Sequence, residues 1–159
     1  MITNSELKKL KTLLIDDNEF IRNSIEIAFR QKGYPLRTAA TAEEGLQKLA
    51  VESFDIIISD DKLPGISGRT FLEYAGGARA DIIKILISAC ADHATIAAAY
   101  AGGIHDYLQK PFTLDTLWAT MTMHAEKRKR RAVVIDLRSQ RQALRTQGRA
   151  AGVKSQPRR

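Results

Sequence analysis

Apolar residues fall into five short blocks along the chain, and four of them end on or run into a polar or charged residue. Thr12 to Ile15 runs into Asp16 and Asp17, and Ile56 to Ile58 runs through Ser59 into Asp60 and Asp61. Ile82 to Ile87 ends at Ser88, and Asp106 to Gln109 is followed by Lys110-Pro111-Phe112. Pro35 to Ala39 is the least apolar of the five. Its proline has no ladder donor, so it is expected near a sheet edge. Unbroken apolar runs of this length, rather than alternating ones, predict strands buried on both faces.

Between the blocks the spacing changes to a helical one. After Asn18, a capping residue, Phe20, Ile21, Ser24, Ile25 and Ala28 recur every three or four positions, and Gly33 closes the segment. Thr41 and Glu44 form a capping box for a second helix, with Leu46 and Leu49 predicted on its inner face. Ser67 opens a short third helix through Phe71 and Leu72, ended by Gly76-Gly77. Asp92 caps an alanine-rich fourth, which stops at Gly102-Gly103. Thr113 caps a fifth, on which Leu114, Leu117, Trp118, Met121 and Ala125 make one stripe. Five strands alternating with five helices over short connections predict a parallel α/β sheet with right-handed crossovers and helices on both faces.

In a parallel sheet every strand's carboxyl end lies on the same edge, which is where open α/β sheets bind ligands. Asp16, Asp17, Asp60, Ser88 and Lys110 are therefore expected to meet there. Carboxylates brought together repel one another and call for a cation, and an all-oxygen donor set suits Mg²⁺ or Mn²⁺. Lys110 adds a point charge and Ser88 a hydroxyl. This chemistry describes an acceptor site for a phosphoryl group with a carboxylate as nucleophile, Asp60 or its neighbour Asp61.

Composition narrows the setting. No apolar run reaches the roughly 18–20 residues that span a bilayer, and residues 1–11 lack a signal-peptide core. No membrane insertion is expected. Cys90 is the only cysteine, which fits a reducing cytoplasm. The net charge of +7 hides an asymmetry: residues 1–123 hold 13 Lys+Arg against 16 Asp+Glu, and residues 124–159 hold 12 against 2. A mildly acidic body precedes a strongly basic tail.

Four segments, each at a strand end, together resemble the receiver domain of bacterial two-component response regulators. They are Leu13-Leu14-Ile15-Asp16-Asp17-Asn18, Ser59-Asp60-Asp61-Lys62-Leu63-Pro64-Gly65, Leu86-Ile87-Ser88-Ala89 and Asp106-Tyr107-Leu108-Gln109-Lys110-Pro111-Phe112. The resemblance covers residues 11–123, leaving residues 1–10 as a lead and 124–159 as a tail. It implies a flavodoxin-like (βα)5 fold with strand order 2-1-3-4-5.

The resemblance also implies roles. Asp60, four before Pro64, takes the place of the phosphoacceptor. Asp16 and Asp17 match the metal-binding acidic pair, with Asp17 the direct ligand, and the backbone carbonyl of Lys62 is the third protein ligand. Ser88 and Lys110 match the groups that receive the phosphoryl oxygens. Tyr107 matches the aromatic switch, and Lys110–Pro111 the cis peptide. The implied partner is a sensor histidine kinase or a histidine phosphotransfer domain. Effectors or a second copy would read the face of the fourth helix, fifth strand and fifth helix. Lys62 and Cys90, two after Asp60 and Ser88, occupy positions that flank the phosphoryl site and influence its lifetime in the family, and a lysine and a cysteine there are departures that leave the dephosphorylation rate unpredicted.

Two other functions compete. One is a Mg²⁺-dependent aspartyl-phosphate phosphatase or phosphotransferase, against which stand the adjacent rather than alternate aspartates and the absence of a cap domain in the sequence pattern. The other is nucleic-acid binding through the tail, where Lys127, Arg128, Lys129, Arg130 and Arg131 follow Glu126. Val134, Leu137 and Leu144 lie on one side of a continued helix, and Arg138, Arg141, Arg145 and Arg149 on another, until Pro157. The tail reads in three ways: a solvated linker of a longer protein, a dimer-forming extension of the fifth helix, or an electrostatic nucleic-acid contact. His93, His105 and His124 show no metal-ligand spacing and are expected to be structural.

Overall fold

The structure, a computed structural model, describes residues 1–75, 79, 81–89 and 92–152, with side chains to residue 147. It divides into two units, Met1–Ala125 and Glu126–Arg159. In the first unit β1 (Thr12–Ile15), β2 (Leu36–Ala39), β3 (Ile56–Asp60), β4 (Ile83–Ser88) and β5 (Asp106–Gln109) form one sheet in the order β2-β1-β3-β4-β5. All four pairings are parallel. The proline-led strand β2 is at the edge, where its missing donor costs nothing.

Alternation along the strands builds two cores. Leu13, Ile15, Ile57 and Leu86 face one cluster with Phe71 and Leu72; Leu14, Ile56, Ile58, Ile85 and Ile87 face the other with Phe29, Leu117 and Met121. Successive strand side chains point to opposite faces, so one triple-isoleucine run feeds both layers. Each fully buried aliphatic side chain contributes about 1.5–3 kcal/mol.

The helices are α1 (Asn4–Leu7), α2 (Glu19–Lys32), α3 (Ala42–Val51), α4 (Gly68–Tyr74), α5 (His93–Ala101) and α6 (Leu114–Gly152). Side chains of Asn18, Thr41, Ser67 and Asp92 cap α2 to α5 as their positions predict, each accepting from a backbone N–H three residues on. Thr113 does the same for Thr116 at the start of α6.

One expectation, for Leu46, needs correction, and three other segments gain detail. Within residues 1–10, Thr3 and Glu6 form a capping box for α1, and Ile2, Leu7 and Leu10 pack on the second core. Leu46 does not face inward; the buried positions of α3 are Ala42 and Gly45, small residues that let the helix approach, and Leu46 is turned out. Phe20 stays 80% exposed at the first turn of α2 while Ile25, Ala28 and Phe29 are buried. Leu114 is likewise exposed, and the inward stripe of α6 starts at Leu117. Helix periodicity marks a face, but a helix end extends past the sheet that would cover it. Gly76-Gly77, Cys90 and Pro157, and the side chain of Arg149, lie outside the described residues.

The second unit has the rest of α6 as its described part, and every side chain from residue 129 to 147 is exposed. Among the described residues no helix is long and apolar enough to cross a membrane.

Candidate phosphoacceptor site

Strand register assembles the site. Ile15 pairs with Ser59, so Asp16 and Asp17 leave β1 beside Asp60 at the end of β3. Asp60 in turn pairs with Ile87, one residue before Ser88, and Ser88 pairs with Gln109, one before Lys110. The five side chains, spread in sequence from Asp16 to Lys110, thus share one edge.

Carboxylate oxygens of Asp16, Asp17 and Asp60 lie within 4.8 Å of one another. Asp16 and Asp60 are buried and Asp17 is exposed. Lys110 Nζ sits 3.2 Å from Asp60 Oδ2 and 3.7 Å from Asp16 Oδ2. Burial pushes the Asp60 carboxyl up; Lys110 pulls it down, and the charges of Asp16 and Asp17 push it up again. One cation against three carboxylates leaves the pocket short of positive charge. The donor set, hard oxygens from three carboxylates with one open to solvent, fits a divalent cation such as Mg²⁺.

Local bonds fix the frame. Asp16 Oδ1 accepts from Asn18 N at 2.9 Å, and Asp16 O accepts from Arg22 at 2.7 Å, tying β1 to the start of α2. Asp61 is drawn off the cluster: its N–H donates to Ile87 O, and its carboxylate accepts from Arg69 N at 3.4 Å. Pro64-Gly65 turns the chain, with Gly65 at φ 79°, a value that the absent side chain permits. The Lys110–Pro111 peptide is cis. The Lys62 side chain is exposed.

The carbonyl of Ser88 joins two of the predicted residues. It accepts from Lys110 N at 2.9 Å and from the Tyr107 hydroxyl at 3.3 Å. Ser88 is buried, and Tyr107 is half-buried against the first core.

With this geometry established, residues 12–122 match the family described as "Response regulator receiver domain". The chain belongs to that family. Among curated relatives, the receiver is 29% identical over 110 residues to the cell cycle transcriptional regulator CtrA of Caulobacter vibrioides, covering 69% of this chain and 48% of that protein. It is 35% identical over 100 residues to the transcriptional regulatory protein AfsQ1 of Streptomyces coelicolor, covering 62% and 44%. The chain thus spans about half the length of these relatives or less. Among solved structures, a CheY-like receiver domain protein from Methanospirillum hungatei superposes with a TM-score of 0.72 at 30% identity, covering 77% of this chain and 99% of that one. The BeF3-activated DrrB receiver domain gives 0.67 at 25% identity, covering 74% and 97%.

The receiver also carries a polar cluster that sequence reasoning missed. His124 Nε2 lies 2.8 Å from Asp106 Oδ2, and Asp106 Oδ1 accepts from Tyr100 OH at 3.2 Å and from Tyr107 N at 2.8 Å. His105 Nδ1 accepts from Lys84 N at 3.1 Å, and the two histidine rings lie 6.0 Å apart. One carboxylate thereby joins α5, β5 and α6 immediately beside Tyr107. The only sequence signal was a histidine on the inward stripe of α6, three residues after Met121.

Proposed function

We propose that this receiver takes a phosphoryl group onto Asp60 from a phosphohistidine donor and passes the change of state to a partner. The observation that carries this reading is the 3.2 Å approach of Lys110 Nζ to a buried Asp60 carboxylate inside a three-carboxylate cluster. A carboxylate oxygen of Asp60 attacks phosphorus, the new O–P bond forms as the N–P bond breaks, and the imidazole leaves on the donor. Asp16, Asp17 and Asp60, with the carbonyl of Lys62, would hold Mg²⁺. Bound there, the ion neutralises charge between an anionic donor and an anionic acceptor. Lys110 supplies a fixed positive charge for a phosphoryl oxygen where charge accumulates. Asp61, engaged with Arg69 N, is not the acceptor in this reading.

The donor is a sensor histidine kinase or a histidine phosphotransfer domain, working in the cytoplasm. An apolar recess of about 470 Å³ beside Lys110, lined by Phe20, Ile21, Ile25, Pro111 and Phe112, supplies its footing. This use accounts for an exposed phenylalanine next to a charged site. After transfer the Ser88 hydroxyl and Lys110 engage the phosphoryl oxygens. Because the Ser88 carbonyl already holds Tyr107, movement of Ser88 resets that tyrosine and the α5–β5–α6 face beside it. This is a shift between two populations of one fold.

Incubation with a small phosphodonor and Mg²⁺ tests the reading. A single-phosphoryl mass gain is expected, lost in Asp60→Asn and kept in Asp61→Asn. Sustained release of phosphate over many turnovers would show a phosphatase instead, and no modification at all would overturn the assignment of Asp60.

A further inference from the structure

The second unit has a chemistry of its own. Residues 126–147 hold eight Lys and Arg against Glu126 and Asp136, on a helix whose side chains are almost all exposed. Asp136 accepts from Gln140 at 2.8 Å, and among the described residues no ion pair neutralises Lys127, Arg131, Arg138, Arg141 or Arg145. At about 100° per residue, Lys127, Arg131, Arg138 and Arg145 fall within a sector of about 40°, and they span about 27 Å along the axis. Arg141 and Arg130 lie beside that sector, on one side of it. Aligned, unneutralised charge of one sign repels itself unless a polyanion covers it.

We propose that this helix is a docking surface for duplex DNA, held through phosphates and not through base identity. The alternatives fit the same residues less well. A second copy would bring two such basic stripes together, and its seam of Val133, Leu137 and Leu144 is interrupted by Gln140 and flanked by Arg130 and Arg141. Val134 widens the apolar sector to about 100°, but Arg130 and Arg141 fall inside it, so the helix has no unbroken apolar face of the kind that is buried in a bilayer or a core. No aromatic residue follows Trp118, so bases have no stacking platform and a single strand gains nothing over a duplex. The major groove of B-DNA admits an α-helix, whereas that of duplex RNA is too deep and narrow. The surface does not depend on phosphoryl transfer at Asp60.

The test is fluorescence anisotropy of a labelled duplex of about 20 base pairs, titrated with the full chain between about 50 and 200 mM salt. Affinity should fall linearly on a log–log plot and be indifferent to base sequence. Changing Lys127, Arg131, Arg138 and Arg145 together to Gln should make the slope shallower by about 3.6, four phosphates at about 0.9 each. Far-UV circular dichroism checks that the helix survives. A second variant, with Arg131, Arg138 and Arg145 changed to Lys, should keep the slope, and a third, with Val133, Leu137 and Leu144 changed to Ala, should bind as the parent does. Asp60→Asn should also bind unchanged. Failure of the parent to bind at about 50 mM salt overturns the proposal. So does tighter binding of single strands or duplex RNA, preference for phosphatidylglycerol vesicles over DNA, or loss of binding in the alanine variant.

Discussion

Gly68 packs so closely on Asp60 that any side chain at position 68 would overlap the Asp60 carbonyl oxygen, with the Ser59 hydroxyl 2.7 Å from the added carbon. The start of α4 is thereby seated directly on the end of β3, and the backbone that carries the Asp60 carboxylate is held from behind. Ser59 Oγ donates to the same carbonyl at 3.0 Å. Gly68→Ala must displace one of these backbones. The expected loss is about 1–3 kcal/mol in a denaturant melt, and more if β3 cannot move. Acceptance of a phosphoryl group should slow as well, because the carboxylate shifts with its backbone. A variant with unchanged stability and unchanged phosphorylation would contradict the packing.

Burial raises the Asp60 carboxyl above its ordinary range, which sets a sign for stability. An acid that holds its proton more tightly when folded contributes stability below its unfolded pKa, and that contribution is lost as pH rises through the folded value. Ionised Asp60 therefore destabilises the metal-free protein at neutral pH. In EDTA at pH 7, Asp60→Asn should melt higher than the parent by a few degrees, on the order of what 1 kcal/mol gives a domain of this size. The difference should shrink toward pH 4. An equal or lower melting temperature for the variant at pH 7 would refute it.

Mg²⁺ should reverse that order. A ligand bound only by the folded state stabilises by about 2.7 kcal/mol at a hundred times its Kd. Thermal melts of the parent should rise with Mg²⁺, and those of Asp17→Asn and Asp60→Asn should respond far less. Lys110→Gln should retain the Mg²⁺ response yet lose about a hundredfold in phosphorylation rate, the usual scale for removing one charge-stabilising donor.

Phe20 offers a way to separate docking from chemistry. Phe20→Ala removes exposed apolar surface at the rim of the recess and leaves all three aspartates of the carboxylate cluster in place. Phosphorylation by a small phosphodonor should be unchanged. Transfer from a histidine phosphotransfer protein that modifies the parent should show a raised KM at similar kcat. Equal effects on both donors would place Phe20 in the chemistry and not in the docking.

The pair between His124 and Asp106 predicts a structural role with a functional edge. His124 is buried and its partner also holds Tyr100 and the Tyr107 backbone. His124→Ala should cost about 1.5–3 kcal/mol, the range for hydrogen bonds to a charged group. Tyr107→Phe, which removes the bond to Ser88 O, should cost about 1 kcal/mol. Urea melts of the two variants check both figures.

The sequence alone determined the order of elements, the parallel sheet and the edge at which Asp16, Asp17, Asp60, Ser88 and Lys110 meet. It could do so because buried strands are read as apolar runs and because parallel topology sends every strand's end to one side. Capping residues such as Thr41 and Asp92 act on neighbours three positions away, so they too were legible before folding. Tertiary structure decided what depends on contacts between distant residues: that Leu46 and Phe20 face solvent, that Asp61 turns to Arg69 N, that Gly68 must be bare beneath Asp60, and that His124 reaches Asp106. Periodicity records which face of a helix is apolar; it holds no record of how far the neighbouring sheet extends or which carboxylate a buried imidazole will find.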